Sequence, residues 1–452
     1  MIFLGLPVSV FLVKRGLMLI LTRINADVKN KNLSFIISYL PLVILMPFLW
    51  TFFDFLQAKY GFLPTYIITA GNIFGSSPFL GLAGFGGLIT LVFFAALINV
   101  LIALLILNFK NSGFKLSIRN LRQPPYLILI LLIVFVIGGG YLISKSELKK
   151  NAFAYQNSPA KIKIALVSNN GDFDKEFEAF ESDILSSEEK AKAEAIIEKI
   201  LGPIKNELYG EKIDLTVLPE DMIDIESWQD PDTEAKNKFG IENAGILIEA
   251  YRKLAQEINT NLAVTLTTIQ NNKRYNSTVL FDRDGEIVDI YNKFNLAILG
   301  EYWPFGNWRP FYFNLIKNLA PGKIGQGGAV FNGKYTYSPG QKKILQTEGL
   351  IFGSAICSEI QYPSQIEEFK KMGAKFISHT ATNRWAVIGL NSFRELTDNL
   401  RKIEAVWLGM PILINGREEM AGIITPDGKM DSVNFESQNK DFGIFIGEIK
   451  LK

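Results

Sequence analysis

Long uncharged apolar stretches alternate with short basic ones over the first third of the chain. Three of these stretches are long enough to cross a bilayer as helices, at residues 33–53, 87–109 and 124–144. They predict an all-α transmembrane domain over residues 1–145. Residues 1–23 are also apolar, but Lys14 and Arg15 interrupt them. We interpret them as the end of a membrane helix followed by a basic loop, and whether they form a further span stays open.

Basic residues in the connecting segments predict how the helices are oriented. They precede the first clear span and separate the last two, at Arg23, Lys29, Lys31, Lys110, Lys115, Arg119 and Arg122. Because Lys and Arg are enriched in cytoplasmic loops, the last span is expected to run outward. Everything beyond about Ser146 is then expected outside the cytoplasm.

Beyond the polar stretch 146–159, which we interpret as a linker, strands and helices alternate over residues 160–452. Apolar runs predict strands at 161–168, 213–218, 262–268 and 350–356, and helical spacing predicts helices at 181–200 and 244–258. Asp284-Gly285 and Asp427-Gly428 are typical of hairpin turns. This alternation predicts a layered α/β domain.

Composition narrows the classes of function that remain. The chain of 452 residues has 48% hydrophobic residues and 34 Phe, which fits a membrane part joined to a soluble part. A net charge of only +2 gives no reason to expect a nucleic-acid partner. With one Cys and one His the chain has no intramolecular disulfide and no multi-histidine metal site, and we expect no cofactor.

Three residues of complementary chemistry follow predicted strands, namely Glu220, Lys293 and Cys357. A thiol, a carboxylate and an ammonium group form a complete set for acyl transfer, as nucleophile, general base and oxyanion stabiliser. Each has a plainer reading, because a lone Cys is usually inert packing and single charged residues are usually solvated. Spacing alone does not join the three.

Several motifs resemble the nitrilase, or carbon–nitrogen hydrolase, superfamily. Leu218-Pro219-Glu220, Tyr291-Asn292-Lys293 and Cys357-Ser358-Glu359 resemble its Glu-Lys-Cys signature, and the closer match is its membrane-bound branch, the apolipoprotein N-acyltransferases. Tyr275-Asn276-Ser277 is similar to the segment around the lysine of that branch, and three later segments, namely Thr382–Trp385, Arg401–Glu404 and Thr425–Gly428, resemble further motifs. The chain differs from the branch in having Ser358 after the cysteine, where Tyr is usual, and in Ser168-Asn169-Asn170 on the first strand.

The resemblance implies a four-layer α-β-β-α sandwich with Glu220 as base, Lys293 as oxyanion stabiliser and Cys357 as nucleophile. It also implies supporting roles for Glu301 and Glu359, for which the alternative is structural pairing, for instance with the lysine. The aromatic-rich segment that follows begins with Tyr302 and contains Trp303 and Trp308. It predicts either a membrane-facing lid that admits an acyl chain or an ordinary packed loop.

The implied activity is transfer of a fatty acyl group from a phospholipid to a lipoprotein. A thioester on the cysteine carries the group to the N-terminal amine of a diacylglyceryl-cysteine lipoprotein. The implied setting is a multi-pass monomer in the bacterial inner membrane, with its catalytic domain on the periplasmic side. Two alternatives remain: a membrane-tethered amidase that hydrolyses small amides, and a scaffold without activity.

Overall fold

The three-dimensional structure is a computed structural model that describes most of the chain. The described residues are 31–60, 66–67, 69–111, 124–169, 186–223, 245–298, 300–302, 337–382, 390–417, 419–433 and 442–451. The apolar stretch 1–23 and the aromatic residues Trp303 and Trp308 lie outside them. The chain divides into two compact units: Met1–Asn151 with Leu396–Trp407, and Ala152–Glu395 with Leu408–Lys452.

The described part of the first unit contains three long apolar helices: α1 (Lys31–Tyr60), α2 (Gly87–Asn111) and α3 (Pro124–Gln156). Their segments Leu42–Lys59, Gly87–Leu107 and Tyr126–Gln156 are long and apolar enough to cross a membrane, by length and composition. These segments overlap the three predicted spans. The stretch 146–159, interpreted from the sequence as a linker, is mostly helical, because α3 continues as far as Gln156. Its Lys, Glu, Ala and Leu residues are good helix formers, so polarity here marks an exposed helix rather than a loop.

Two 3₁₀ helices (Asn72–Ser76 and Leu80–Phe85) connect α1 to α2 and pack closely on α3. The Ser144 hydroxyl donates to the carbonyl oxygen of Pro78 at 2.7 Å and accepts the N–H of Gly81 at 2.8 Å. A Cβ on Gly81 would lie 2.1 Å from the Ser144 carbonyl oxygen, so this contact requires glycine. The core of this unit joins helix residues such as Leu91 to Leu400, Ile403 and Val406 of its second chain segment.

The second unit is built on a 12-stranded sheet that consists of two six-stranded halves. Its strands are β1 (Ala160–Asn169), β2 (Leu215–Val217), β3 (Asn261–Gln270), β4 (Lys273–Phe281), β5 (Ile287–Asn292), β6 (Leu345–Thr347), β7 (Leu350–Ile356), β8 (Phe376–Thr382), β9 (Ile412–Arg417), β10 (Ala421–Ile424), β11 (Met430–Val433) and β12 (Phe442–Leu451). One half has the order β5-β4-β3-β2-β1-β12 and the other β6-β7-β8-β9-β10-β11. The halves are joined along the sheet at the pair Asn169 and Arg417.

The two halves also lie face to face, with helices on their outer sides. The hydroxyls of Thr278 in β4 and Ser354 in β7 are 2.8 Å apart, which places the two halves in direct contact. Helices α4 (Ser187–Leu208) and α5 (Ile246–Glu257) pack their apolar residues on the first half. Helix α6 (Pro363–Lys371) packs on β7 of the second half, and α7 (Leu390–Leu408) precedes β9. The predicted four-layer α-β-β-α sandwich is therefore confirmed.

Several elements begin and end where the sequence predicts them. Strand β7 has the predicted bounds, and the turns at Asp284-Gly285 and Asp427-Gly428 each join two antiparallel strands. Helix α4 begins after Ser186, whose hydroxyl accepts the N–H of Glu189 while the Glu189 carboxylate accepts the N–H of Ser186. Residues 181–185 of the predicted helix lie outside the described part.

Candidate active site

The three candidate catalytic residues follow the ends of three strands. Glu220 lies three residues beyond the end of β2, Lys293 directly after β5, and Cys357 directly after β7. The first two come from one half of the sheet and the cysteine from the other. The backbone N–H of Glu220 donates to the Thr380 hydroxyl of β8 at 2.7 Å, so the halves meet at this point.

The Glu220 side chain is buried, and both of its oxygens accept hydrogen bonds. Oε1 accepts from the Asn276 amide at 2.9 Å and Oε2 from the backbone N–H of Thr382 at 2.8 Å. Burial raises the pKa of this carboxyl, while the Lys293 charge and these hydrogen bonds oppose the rise. A buried, oriented carboxylate with a raised pKa has the properties of a general base.

Lys293 is fully buried and forms an ion pair with Glu301. Its Nζ lies 2.9 Å from Glu301 Oε1. Burial by itself would lower the pKa of Lys293, but the negative charge of Glu301, the largest of the opposing influences, and of the neighbouring glutamates gives a net rise. The amine therefore stays protonated and can stabilise a developing oxyanion. The other Glu301 oxygen accepts the backbone N–H of Ala297 at 2.7 Å, which fixes the carboxylate.

Cys357 combines a partly exposed position with an unusual backbone conformation. It begins a 3₁₀ helix (Cys357–Gln361) and has a φ of 50°, in the left-handed region that L-residues seldom adopt. Its carbonyl oxygen lies 2.9 Å from Nε2 of His379, which holds this conformation in place. Burial of the thiol and the charge of Glu220 raise its pKa, and Lys293 opposes the rise. The resting group is therefore a neutral thiol that needs a base.

Glu359 shapes the site through its hydrogen bonds. Its Oε1 accepts from the Tyr291 hydroxyl, the N–H groups of Phe294 and Asn295, and the Gln365 amide at 2.7, 2.9, 3.0 and 2.8 Å. Its Oε2 accepts the N–H of Ile356 at 3.0 Å. The side chain is fully buried and ties the end of β7 to the segment that follows Lys293. These contacts favour the positioning role over direct catalysis.

Two residues of the site carried little signal in the sequence. In the sequence Asn276 is part of one motif and has no catalytic signal of its own, yet its amide contacts both Glu220 and Glu301. His379 is an isolated histidine, which is usually structural, and in the structure its Nε2 lies 2.9 Å from the carbonyl oxygen of Cys357. Among the described residues no group of three or more His, Cys, Asp or Glu side chains is placed to hold a metal ion.

Comparison with known proteins adds a family match and two curated relatives. A family model described as carbon-nitrogen hydrolase matches residues 183–411. The apolipoprotein N-acyltransferase of Aquifex aeolicus is 26% identical over 168 residues, which cover 37% of this chain and 34% of that protein. The apolipoprotein N-acyltransferase of Haemophilus ducreyi is 24% identical over 194 residues, covering 41% and 35%. The chain thus spans about a third of the length of the curated relatives it matches.

Solved structures are similar at lower identity. Nit3 of Saccharomyces cerevisiae, a member of branch 10 of the nitrilase superfamily, is 16% identical with a TM-score of 0.40, over 65% of this chain and 91% of that chain. A carbon-nitrogen hydrolase from Helicobacter pylori is 15% identical with a TM-score of 0.41, over 64% and 89%.

Proposed function

The chain belongs to the carbon-nitrogen hydrolase family, and from that premise we propose that it is an N-acyltransferase of lipoprotein maturation. Its acyl donor is a phospholipid, and its acceptor is the N-terminal amine of a diacylglyceryl-cysteine lipoprotein. The observation that carries the proposal is that hydrogen bonds through Asn276, Glu301 and Glu359 bring Glu220, Lys293 and the strand end before Cys357 into one site. The described part of the same chain contains three helices apolar enough to cross a membrane. The names of the two curated relatives support the same substrates.

In the first half-reaction Cys357 attacks the ester carbonyl of the phospholipid. Glu220 takes the thiol proton as the S–C bond forms, and the oxyanion that develops is stabilised by the Lys293 ammonium group. The C–O bond then breaks, and Glu220 returns the proton to the departing alkoxide. The products are a thioester on the enzyme and a lysophospholipid.

In the second half-reaction the acceptor amine attacks the thioester. Glu220 takes a proton from the amine as the N–C bond forms, and the S–C bond breaks to leave an amide. The proton then returns to the sulfur of Cys357, so the enzyme ends in its starting state. Such a ping-pong scheme needs one base and one nucleophile, and Glu220 and Cys357 would supply them.

The three apolar helices support this reaction over chemistry on a soluble substrate. Both lipids of the proposed reaction reside in a membrane, so an enzyme held in the same membrane meets them at raised effective concentration. The basic segments around the helices support an orientation in the bacterial inner membrane with the second unit on the periplasmic side. We propose a monomer that needs no cofactor.

A second candidate is a membrane-tethered amidase, which the family match favours. It would use the same three residues, with water in place of the amine in the second step. The lifetime of the acyl-enzyme separates the two, because a transferase must protect its thioester from water. A scaffold without activity would form no acyl-enzyme at all.

The deciding test is the intact mass of the detergent-purified chain after incubation with phospholipid. We expect a gain of one acyl chain that neutral hydroxylamine removes and that Cys357→Ala does not show. Addition of a diacylglyceryl-cysteine peptide should then discharge the adduct into an amide. Steady release of fatty acid or ammonia without an adduct would indicate the amidase. The absence of both an adduct and a released product would indicate the scaffold.

A further inference from the structure

The side chain of Asn276 contacts both carboxylates beside the catalytic lysine. Its Nδ2 lies 2.9 Å from Glu220 Oε1 and 3.0 Å from Glu301 Oε1, so each amide hydrogen serves one carboxylate. The carbonyl oxygen of the same residue accepts the backbone N–H of Lys293 at 2.8 Å. One residue of β4 therefore contacts both carboxylates by its side chain and the backbone of Lys293 by its own backbone.

Burial of a carboxyl group close to another negative charge favours its protonated form. A protonated Glu220 could not take the thiol proton, so the site needs interactions that favour its carboxylate. One N–H of the Asn276 amide donates to Glu220, and the other holds the Glu301 carboxylate beside Lys293.

We infer that Asn276 is a positioning residue that keeps Glu220 ionised as the base and holds Glu301 in place as the counter-ion of Lys293. The inference deepens the proposed function and rests on the same site. The chemistry of the side chain fits the role, because an aspartate would add a third negative charge and an alanine would donate nothing. A flipped amide would place Oδ1 against two anionic oxygens, so the carboxylates themselves fix its orientation.

The oxygen of the Asn276 amide, unlike its nitrogen, has an unfavourable environment. Asn276 is buried, and its Oδ1 has no hydrogen-bond partner among the described residues. A buried acceptor without a partner is unfavourable by itself. The unpaired Oδ1 indicates that the two hydrogen bonds from Nδ2 to the carboxylates set the orientation of the amide, even though they leave its oxygen without a donor in the part of the chain that the structure describes.

The charged groups that act on Glu220 define what the loss of Asn276 should do. Burial raises the pKa of Glu220, the Lys293 charge and the Asn276 hydrogen bond lower it, and the Glu301 charge raises it. The Cys357 thiol also faces these groups. Removing the amide takes away one of the interactions that favour the carboxylate, so the base should require a higher pH to ionise.

The test is the rate at which iodoacetamide alkylates Cys357 between pH 4 and 9 in the detergent-purified full chain. The thiol passes its proton to ionised Glu220, so the acid limb of the profile follows that carboxyl, and Glu220→Gln should abolish the limb. We expect Asn276→Ala to move the limb upward by about one pH unit, the size expected for a hydrogen bond to a charged group. Asn276→Asp is nearly isosteric and should move the acid limb at least as far. This variant provides the test if the alanine variant does not fold.

The matched control is Asn261→Ala, which removes another buried amide that donates to the carbonyl oxygen of Asp214. It should leave the limb unmoved. The inference is overturned if the Asn276 variants lose rate equally at every pH with the limb unchanged, since that is what a purely structural residue would do. Alkylation needs no lipid, so a shifted limb in a chain that forms no acyl adduct would reject the proposed function and keep the inference.

Discussion

At the scale of single residues, the site is organised by groups that hold the reactive ones in place. Cys357 keeps a left-handed backbone conformation with a carbonyl held by His379, and strained conformations of this kind persist only when their surroundings fix them. The sequence predicts Glu220, Lys293 and Cys357 as candidate reactive residues, because each follows an apolar strand and the three resemble the Glu-Lys-Cys signature of the family. It could not predict the Asn276 contacts, because that residue lies far along the chain from Glu220 and no spacing relates them.

Glu359→Gln should destabilise the chain by about 1–3 kcal/mol, the cost of leaving buried donors unpaired. The carboxylate accepts hydrogen bonds at both oxygens, and an amide cannot accept at its nitrogen. Thermal unfolding measures the loss. Glu404→Gln is the matched control, since Glu404 is equally buried, has no hydrogen-bond partner for either oxygen among the described residues, and has a pKa that burial raises well above its usual range.

The Glu404 variant should keep or raise the unfolding temperature, because a neutral amide replaces a carboxyl that burial already favours in its neutral form. Equal losses at both positions would contradict a positioning role for Glu359 and would indicate only the general cost of changing a buried carboxyl.

At the scale of elements, the sequence predicts the bounds of a helix or strand well where the apolar pattern changes sharply. Strand β7 could be predicted to the residue, because its apolar run follows Gly349, whose φ is 78°, and ends at the cysteine. The end of α3 could not be predicted, because a polar stretch is compatible with either an exposed helix or a linker. Apolar spacing likewise shows that α7 buries one face, but it does not show that Leu396–Trp407 belongs to the unit of the apolar helices.

Gly353→Ala should slow alkylation of Cys357 and lower the unfolding temperature. A Cβ at this position of β7 would lie 2.6 Å from the Phe369 ring, so α6 and the strand that leads to the cysteine must separate. Gly138→Ala in α3 is the control, because a Cβ there would meet nothing within 4 Å. That change should leave alkylation of Cys357 unmoved and should not lower the unfolding temperature, since Ala has the higher helix propensity. Unchanged alkylation in the Gly353 variant would show that the packing of α6 does not control the cysteine.

At the scale of the whole molecule, the proposed function requires a catalytic unit that meets lipids, and the aromatic segment after Tyr302 is the candidate for that contact. The sequence predicts a lid there from the density of Trp, Tyr and Phe. The residues in question lie outside the described part, so the lid stays a prediction.

Replacing Trp303 and Trp308 together with Ser should reduce acyl transfer from phospholipid far more than hydrolysis or transfer of a short soluble ester. Aromatic rings at headgroup depth would help a long acyl chain enter, whereas a soluble ester needs no such help. Initial rates on the two donors, each divided by the wild-type rate, give the comparison. Equal losses on both donors would refute the lid and leave an ordinary packed loop.

The pairing of β12 with β1 has a consequence for how the protein is made. These strands pair along their whole length, from Ala160 with Leu451 to Asn169 with Phe442, although almost the entire second unit separates them in the sequence. During translation β1 emerges early and waits unpaired on that edge until β12 leaves the ribosome. Closing so long a loop is slow. The apolar helices α1 to α3 are synthesised before either strand, so under the proposed function the nascent chain would reach the membrane before Cys357 is enclosed.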